Sequence, residues 1–339
     1  MDNVTHSLTG LALSRAGLDR FCPRAVWLLI LSANAPDADI VAAPQGAFRY
    51  LEVHRGYTHS LFGLPLMAAL AVVVIAALFR QKLPWFRAWL LCLAGVASHL
   101  LLDATNTYGV RLLLPFSSRW FHLDLNGLYD GCILAILIFA ALWPSFSRLV
   151  NREIGDRRSP AGRTVAVLAL SFFLLFDIAR GILHNRVVSQ LESRLYDGAP
   201  PLDVAALPDA FNPLHWTGVI ETSNAYLLST VNPISQWTLE NPDTFYKPQI
   251  TPALEAAIRT DPFRYFLYFA RFPIWSLQPV LGDRTRGTRL DLTDLRFGRP
   301  GAGSFHSVGY ANAENQLLFK AFTYSSGADL GWNDSRSPK

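Results

Sequence analysis

Leu61-Phe-Gly-Leu-Pro-Leu-Met-Ala-Ala-Leu-Ala-Val-Val-Val-Ile-Ala-Ala-Leu-Phe79 runs for nineteen residues without a charge. A helix needs ~20 such residues to cross a bilayer core. A soluble helix of this length would carry a polar face, and this run has none. The same character spreads outward from it. Ala88 to Asp103 is the next apolar run, broken only by Ser98 and His99, and Gly131–Phe146 and Thr164–Leu183 follow. The whole chain of 339 residues is 51% hydrophobic and 17% charged, with a mean hydropathy of +0.22. A soluble domain carries nearer ~25% charge. These values exclude disorder, coiled coil and collagen, and they argue against an ordinary cytosolic enzyme. The net charge of +4 is spread between apolar runs, so no basic groove for nucleic acid is expected. Cys22, Cys92 and Cys132 lie in or beside apolar runs without a CxxC and read as small core hydrophobes.

Two shorter apolar pieces, Val4–Leu18 and Ala25–Ala35, precede the first long run. Each is too short to span alone, and together they suggest a helical hairpin that enters the membrane and returns. No basic stretch and cleavage site mark the N-terminus as a removable signal peptide. Orientation follows from Lys and Arg in short loops. Arg15, Arg20 and Arg24, then Arg80, Lys82 and Arg87, then Arg148, Arg152, Arg157, Arg158 and Arg163 make eleven charges that fall on one side if the helices alternate. The opposite loops hold four, Arg49, Arg55, Arg111 and Arg119. The basic side is expected to face the cytoplasm. The N-terminus, the 36–60 and 104–130 loops and everything after residue 183 then face outward. Residues 184–339 are rich in Pro, Asn and aromatic residues, with turns at Asn212-Pro213, Asn232-Pro233 and Asn241-Pro242. Asn185–Tyr196 should extend the last span, Pro252–Phe269 should be a helix, and Leu317–Tyr324 a strand. The expected architecture is an α-helical polytopic membrane bundle over 1–183, with four spans plus an N-terminal re-entrant hairpin, and an α+β extracytoplasmic domain over 184–339.

On this topology five histidines, His6, His54, His59, His99 and His122, gather at the outer face with Asp37, Asp39, Asp103, Asp124 and Asp130. Ionisable groups at membrane depth are costly and usually pair or form a site. His and Asp converging on one plane are the donors that zinc and similar divalent ions take. His99 and Asp103, at i and i+4, share one helix face, so both can hold one ion or Asp103 can bridge two. Asp37 and Asp39 follow Pro36 at the end of the second half-helix; taken alone the pair reads as an exposed turn, but its position opposite His99 favours a ligand role. His54-Arg-Gly-Tyr-Thr-His59-Ser60 opens the third helix, with Thr58 or Ser60 as a cap. Arg55 beside candidate ligands suits a phosphate oxygen, or else anchors a headgroup. His122 and Asp124 are divided between ligand and surface roles, and Asp130 reads as a helix cap. His184, His215 and His306 read as structural. Asp177 and Arg180 should pair with each other or with a bundle partner.

Four motifs carry a resemblance: Met1-Asp-Asn-Val-Thr-His6-Ser-Leu-Thr-Gly10, Pro36-Asp37-Ala-Asp39, His54-Arg-Gly-Tyr-Thr-His59-Ser60 and His99-Leu-Leu-Leu-Asp103-Ala-Thr-Asn106-Thr-Tyr-Gly109. In this order they resemble the YdjM-like family of bacterial inner-membrane proteins, described as predicted metal-dependent hydrolases. More distantly the order resembles the zinc-dependent phospholipase C and single-strand nuclease superfamily. That resemblance implies a zinc cluster of one to three ions. His6 and Asp103 would share one ion, and Asp37 or Asp39, His59, His99 and Asp103 would surround another. No equivalent of the superfamily's later ligands is evident, although His122 with Asp124 could substitute.

The expected function is an inner-membrane, metal-dependent hydrolase with a di-zinc site at the outer face. Its ligands would be His6, Asp37, Asp39, His54, His59, His99 and Asp103, with Asp103 or Asp39 bridging and Arg55 orienting substrate. A site opening to lipid suggests a phosphoester of a lipid or lipid-linked substrate. The alternative is a metal-stabilised scaffold or an ion carrier with a partner-binding outer domain. A carrier should be polar through the full membrane thickness, and Leu61–Phe79 is not. No HExxH supports a protease.

Overall fold

The computed structural model describes residues 1–153, 162–235, 237–239, 241–281, 286–301 and 304–324. Arg157 and Arg158, counted among the basic loop charges, lie outside them. The N-terminal half is helical: α1 (Asn3–Arg15), α2 (Ala25–Ser32), α3 (Ala47–Val53), α4 (Leu64–Phe79), α5 (Trp85–Thr105), α6 (Gly131–Glu153) and α7 (Gly162–Glu192). Asp2 caps α1, its side chain accepting from the Val4 and Thr5 amides at 3.0 Å each. α1 and α2 form the expected hairpin and touch through glycine. A Cβ on Gly10 would lie 2.6 Å from the Leu29 carbonyl oxygen, so only glycine permits this approach. Leu28 and Leu29 of α2, Ala68 and Val72 of α4, and Leu91, Cys92 and Val96 of α5 make one buried core.

Three helices, α5, residues 131–149 of α6, and α7, are long and apolar enough to cross a membrane. Two bent pairs qualify only together: Ala25–Ser32 with the 3-10 turn Ala35–Gln45, bent by 46°, and Ala47–His59 with α4, bent by 90°. The helical half therefore holds three to five candidate spans. The run Leu61–Phe79 is not one straight helix. Its helix begins at Leu64, after the 3-10 turn Tyr57–His59. The break is built locally: Ser60 Oγ accepts from the Gly63 amide at 2.9 Å, and Gly63 sits where a Cβ would be 2.0 Å from the Tyr57 carbonyl oxygen. The second limb of the hairpin likewise does not stop at Ala35 but continues through the turn that carries Asp37 and Asp39.

α7 runs unbroken past residue 183 to Glu192, and Val187 and Leu191 pack beneath Trp216 and Val231. Beyond it are two four-stranded antiparallel sheets. The first is β1 (Asp203–Pro208), β2 (Trp216–Glu221), β3 (Ala225–Val231) and β4 (Asp243–Tyr246); the second is β5 (Pro273–Leu281), β6 (Arg286–Asp294), β7 (His306–Asn312) and β8 (Leu317–Thr323), each in sequence order. Between them the expected single helix is two, α8 (Pro252–Ile258) and α9 (Asp261–Phe269). Thr260 and Pro262 start α9 afresh, since proline suits a helix's first turn and interrupts its interior. Phe263, Phe266 and Phe269 of α9 pack on Leu290 and Leu292 of the second sheet, in a core that also holds Leu51 and Tyr108 of the helical half.

Two arginines fasten the sheets to the loop after α5. Arg271 donates to Asp124 Oδ2 at 2.9 Å and to Asp203 Oδ2 at 3.2 Å. Arg296 donates to the Thr107 carbonyl at 2.9 Å and pairs with Asp294 at 2.7 Å. Asp130 caps α6, accepting from the Cys132 and Ile133 amides at 3.0 Å each, and it also pairs with Arg180. Asp177 accepts from Asn126 Nδ2 at 2.9 Å, so Asp177 and Arg180 pair with other partners rather than with each other.

Candidate metal centre

Four segments meet at one end of the bundle. α1 brings His6, the turn after α2 brings Asp37 and Asp39, the loop before α4 brings His54, Arg55 and His59, and the last turns of α5 bring His99 and Asp103. His6, Asp39, Arg55, His59, His99 and Asp103 are all buried.

Hydrogen bonding fixes the two central imidazoles. His99 Nδ1 lies 2.7 Å from the Ala33 carbonyl oxygen, which can only accept, so Nδ1 carries the proton. Thr58 Oγ1 donates to Asp39 Oδ2 at 3.3 Å, which leaves its lone pair for His59 Nδ1–H at 3.0 Å. With Nδ1 as the donor on both rings, their Nε2 atoms present lone pairs that face each other at 3.1 Å. A proton on one ring would satisfy that pair alone, whereas a divalent ion between them would satisfy the two nitrogens and two neighbouring carboxylates together.

The surrounding distances fit such an ion. His59 Nε2 is 3.3 Å from Asp37 Oδ1 and 3.5 Å from Asp103 Oδ2. His99 Nε2 is 3.7 Å from Asp37 Oδ1 and 3.3 Å from Asp103 Oδ2. Ligand bonds of about 2.0–2.1 Å make the edges of a tetrahedron about 3.3 Å. Asp103 Oδ2 has no hydrogen-bond partner, and neither ring nitrogen of the buried His6 has one. His6 stacks on His99, with ring centroids 3.8 Å apart, and its Nε2 is 3.6 Å from Asp103 Oδ1. Three overlapping groups have donor atoms within 4.8 Å of one another: Asp37, His59 and His99; His6, His99 and Asp103; and Asp37, Asp39 and His54. These His and Asp residues can hold metal.

The remaining predicted residues fall around this core. Asp39 accepts from His54 Nδ1 at 3.0 Å and from the Arg55 amide at 3.1 Å, so it braces the loop and faces His59 from the Nδ1 side. Arg55 turns inward. Nη2 is 3.0 Å from Asp103 Oδ1, Nη1 donates to Asn106 Oδ1 at 2.9 Å and to the Gly109 carbonyl at 3.1 Å, and the guanidinium lies over the Tyr108 ring. The Met1 amine also contacts Asp103 Oδ1. His122 and Asp124 are not in the cluster: they pair with each other at 3.1 Å, and Asp124 with Arg271. Burial would push the Asp124 carboxyl up, but His122, Arg271 and Arg296 outweigh it and hold it below the usual carboxylate range.

Sequence reasoning placed Asn106 within a motif but gave it no role. Its buried Oδ1 accepts from Arg55 and from the Tyr108 and Gly109 amides, and its Nδ2 donates to Asp103 Oδ1 at 3.3 Å. The available signal was its place three residues after Asp103, within one helical turn. Asn3, which donates to Asp37 Oδ2 at 3.1 Å, was likewise given no role.

The fold and this centre define a membrane-embedded helical protein with a His/Asp site of the type that takes divalent metal. The chain belongs to the YdjM inner membrane protein family, whose model matches residues 1–187. It is similar to the uncharacterized protein YfhP of Bacillus subtilis (strain 168), 25% identical over 291 residues and 82% of each chain, a match that extends past α7 into the sheets. It is also similar to the inner membrane protein YbcI of Escherichia coli (strain K12), 34% identical over 122 residues, 35% of this chain and 69% of that one. No solved structure matches the chain.

Proposed function

We propose that this protein is a metal-dependent hydrolase of the inner membrane, with its centre at the outer face, acting on a phosphoester of a lipid or lipid-linked substrate. The observation that carries this reading is the pair of facing Nε2 atoms at 3.1 Å, with Asp37 and the unpartnered Asp103 Oδ2 beside them. His59, His99, Asp37 and Asp103 would hold a first ion, most simply zinc. His6 with Asp103, through the Oδ2 that Arg55, Asn106 and the Met1 amine leave free, or His54 with Asp39, would extend the centre to a second. Such an ion supplies Lewis acidity toward a phosphoryl oxygen and toward water.

The chain's own groups set the rest. Asp37 has a side chain 16% exposed, whereas the other three donors are buried, so substrate approaches along its edge. Its Oδ2, turned toward Asn3, is placed to accept a proton from the attacking water. Arg55 holds Asp103 in position rather than gripping substrate, because both its Nη atoms are engaged by Asp103, Asn106 and Gly109 and the guanidinium is buried. The segments around Asp37 expose Val4, Ile40, Val41, Tyr57, Leu61 and Phe62, an apolar border suited to a lipid substrate.

A structural ion is the second reading, favoured by the burial of three of the four donors. The test is metal analysis of the purified protein together with a screen of lipid phosphoesters. A bound divalent ion with turnover that is lost in Asp37→Asn supports the hydrolase. A bound ion whose removal unfolds the protein, without turnover on any lipid phosphoester, supports the structural ion. Protein that binds no divalent ion refutes both.

A further inference from the structure

Four guanidinium groups meet at the end of the bundle opposite the His/Asp centre. Arg15 ends α1, Arg20 lies in the turn after it, Arg148 is on α6, and Arg163 begins α7. They line one cavity of about 290 Å³ in which Asp19 is the one carboxylate among the described residues. The arginines are held from behind by neutral acceptors. Arg15 Nη1 donates to the carbonyls of Ala140 at 3.1 Å and Ala141 at 2.7 Å. Ala140 needs such a donor, because Pro144 four residues on has no N–H to give it. Arg163 Nε donates to the Ala16 carbonyl at 3.1 Å, and Arg148 Nε to the Pro144 carbonyl at 3.0 Å. Carbonyls orient a guanidinium without neutralising it. The Arg20 guanidinium has no hydrogen-bond partner among the described residues. The cavity is therefore preset for an anion, and the forked donors of arginine suit phosphate oxygens.

Phe21, Leu142 and Phe146 are exposed in the segments around the cavity, as lipid-facing side chains are. An anion pocket bordered by exposed apolar side chains on a membrane helix bundle has the two-part chemistry of a phospholipid.

We propose that this end of the bundle binds one anionic phospholipid, its phosphate taken by Arg15, Arg20, Arg148 and Arg163 and its acyl chains lying against the exposed Phe21, Leu142 and Phe146. The site is separate from the His/Asp centre and does not depend on the hydrolase reading. A zwitterionic lipid would bring its own cation into the arginine cluster and bind less well.

The test titrates full-length, delipidated protein in detergent with phosphatidylglycerol, phosphatidylcholine or inorganic phosphate, and reads bound ligand by native mass spectrometry. One phosphatidylglycerol should be retained in preference to phosphatidylcholine. The Arg20→Ala/Arg148→Ala variant should bind it at least tenfold more weakly, the loss of charge-assisted hydrogen bonds worth about 1.5–3 kcal/mol. Arg15 and Arg163 are left in place because they tie α1 to α6 and α7 to the end of α1, whereas Arg148 bonds within its own helix. Arg20→Ala alone removes an exposed, unpartnered side chain and should weaken binding without disturbing the fold, which keeps the test open if the double variant misfolds. Equal retention of the two lipids, or unchanged retention in the arginine variants, overturns the site. Full displacement by inorganic phosphate assigns the pocket to free phosphate and overturns the lipid.

Discussion

Asp103 divides its two oxygens between two tasks. Oδ1 is held by Arg55, Asn106 and the Met1 amine, and Oδ2 is left to the His59 and His99 edge. A carboxylate placed by its neighbours in this way needs no reorganisation to bind an ion. His99→Ala and Asp103→Ala should each lower the metal content of purified protein, measured by plasma mass spectrometry. His306→Ala should not, because His306 bonds Asp291 at 2.8 Å in the second sheet. Arg55→Lys keeps the charge and loses the fork that reaches Asp103, Asn106 and Gly109 together. Outer partners of a ligand typically matter by about 10–100-fold in metal affinity. Arg55→Lys should therefore weaken metal binding by roughly that factor in a competition titration; unchanged affinity would remove Arg55 from the support of Asp103. The helical spacing of His99 and Asp103 made this pair legible in the sequence. The use of Arg55 was not, because a guanidinium's partners are set by which backbone carbonyls and amides fold around it, and Asn106 and Gly109 lie more than fifty residues away.

The elements show where apolar runs suffice and where they do not. α5, α6 and α7 follow from hydrophobic length alone, because in a bilayer length and apolarity are the constraint. The bends at 46° and 90° do not follow from them. They depend on close contacts, such as Gly63 against the Tyr57 carbonyl, that hydropathy does not encode. Those bends are also what bring Asp37 and His59 to the His99 edge, so half of the candidate first ion's ligands sit on elements the sequence described only coarsely. Gly10 ties the hairpin to the same edge, since α1 carries His6 and α2 leads to Asp37. A Cβ there would meet the backbone at Leu29 and Ile30, at 2.6 to 3.0 Å, and backbone cannot rotate aside. Gly10→Ala should separate α1 from α2 at a cost of roughly 1–3 kcal/mol, as overpacked cores show. The expected readout is a lower melting temperature together with reduced metal content. A lower melting temperature with full metal content would show that the centre tolerates movement of α1.

At the scale of the whole molecule, a helical half and a two-sheet half are joined at the loop that leaves α5. The turn signals after residue 184 foretold short elements but not two meanders, since strand order is fixed by pairing across the chain. Asp124 is the charge at that junction. Its folded carboxyl is held below the unfolded value, so its contribution is present above about pH 4, the ordinary carboxylate value. It is lost as pH falls through the lower folded value. Acid should loosen the sheets from the loop first, seen as protease cleavage near Arg271, and Asp124→Asn should give the same cleavage at neutral pH. Sidedness is the remaining question at this scale. Arg15, Arg20, Arg148 and Arg163 share one cavity, and Arg24 donates to Gln81 at 3.1 Å, so the three basic loops assemble at a single end of the bundle. The His/Asp centre and both sheets lie toward the other. From the positive-inside tendency we propose that the basic end faces the cytoplasm and the centre faces outward. In a variant lacking the three native cysteines, a cysteine at Lys82 should react with an impermeant maleimide only after the membrane is opened. A cysteine at Asn224, in the hairpin between β2 and β3, should react in intact spheroplasts. Reaction at Lys82 in intact spheroplasts with protection at Asn224 would invert the protein, and with it the leaflet on which its centre works.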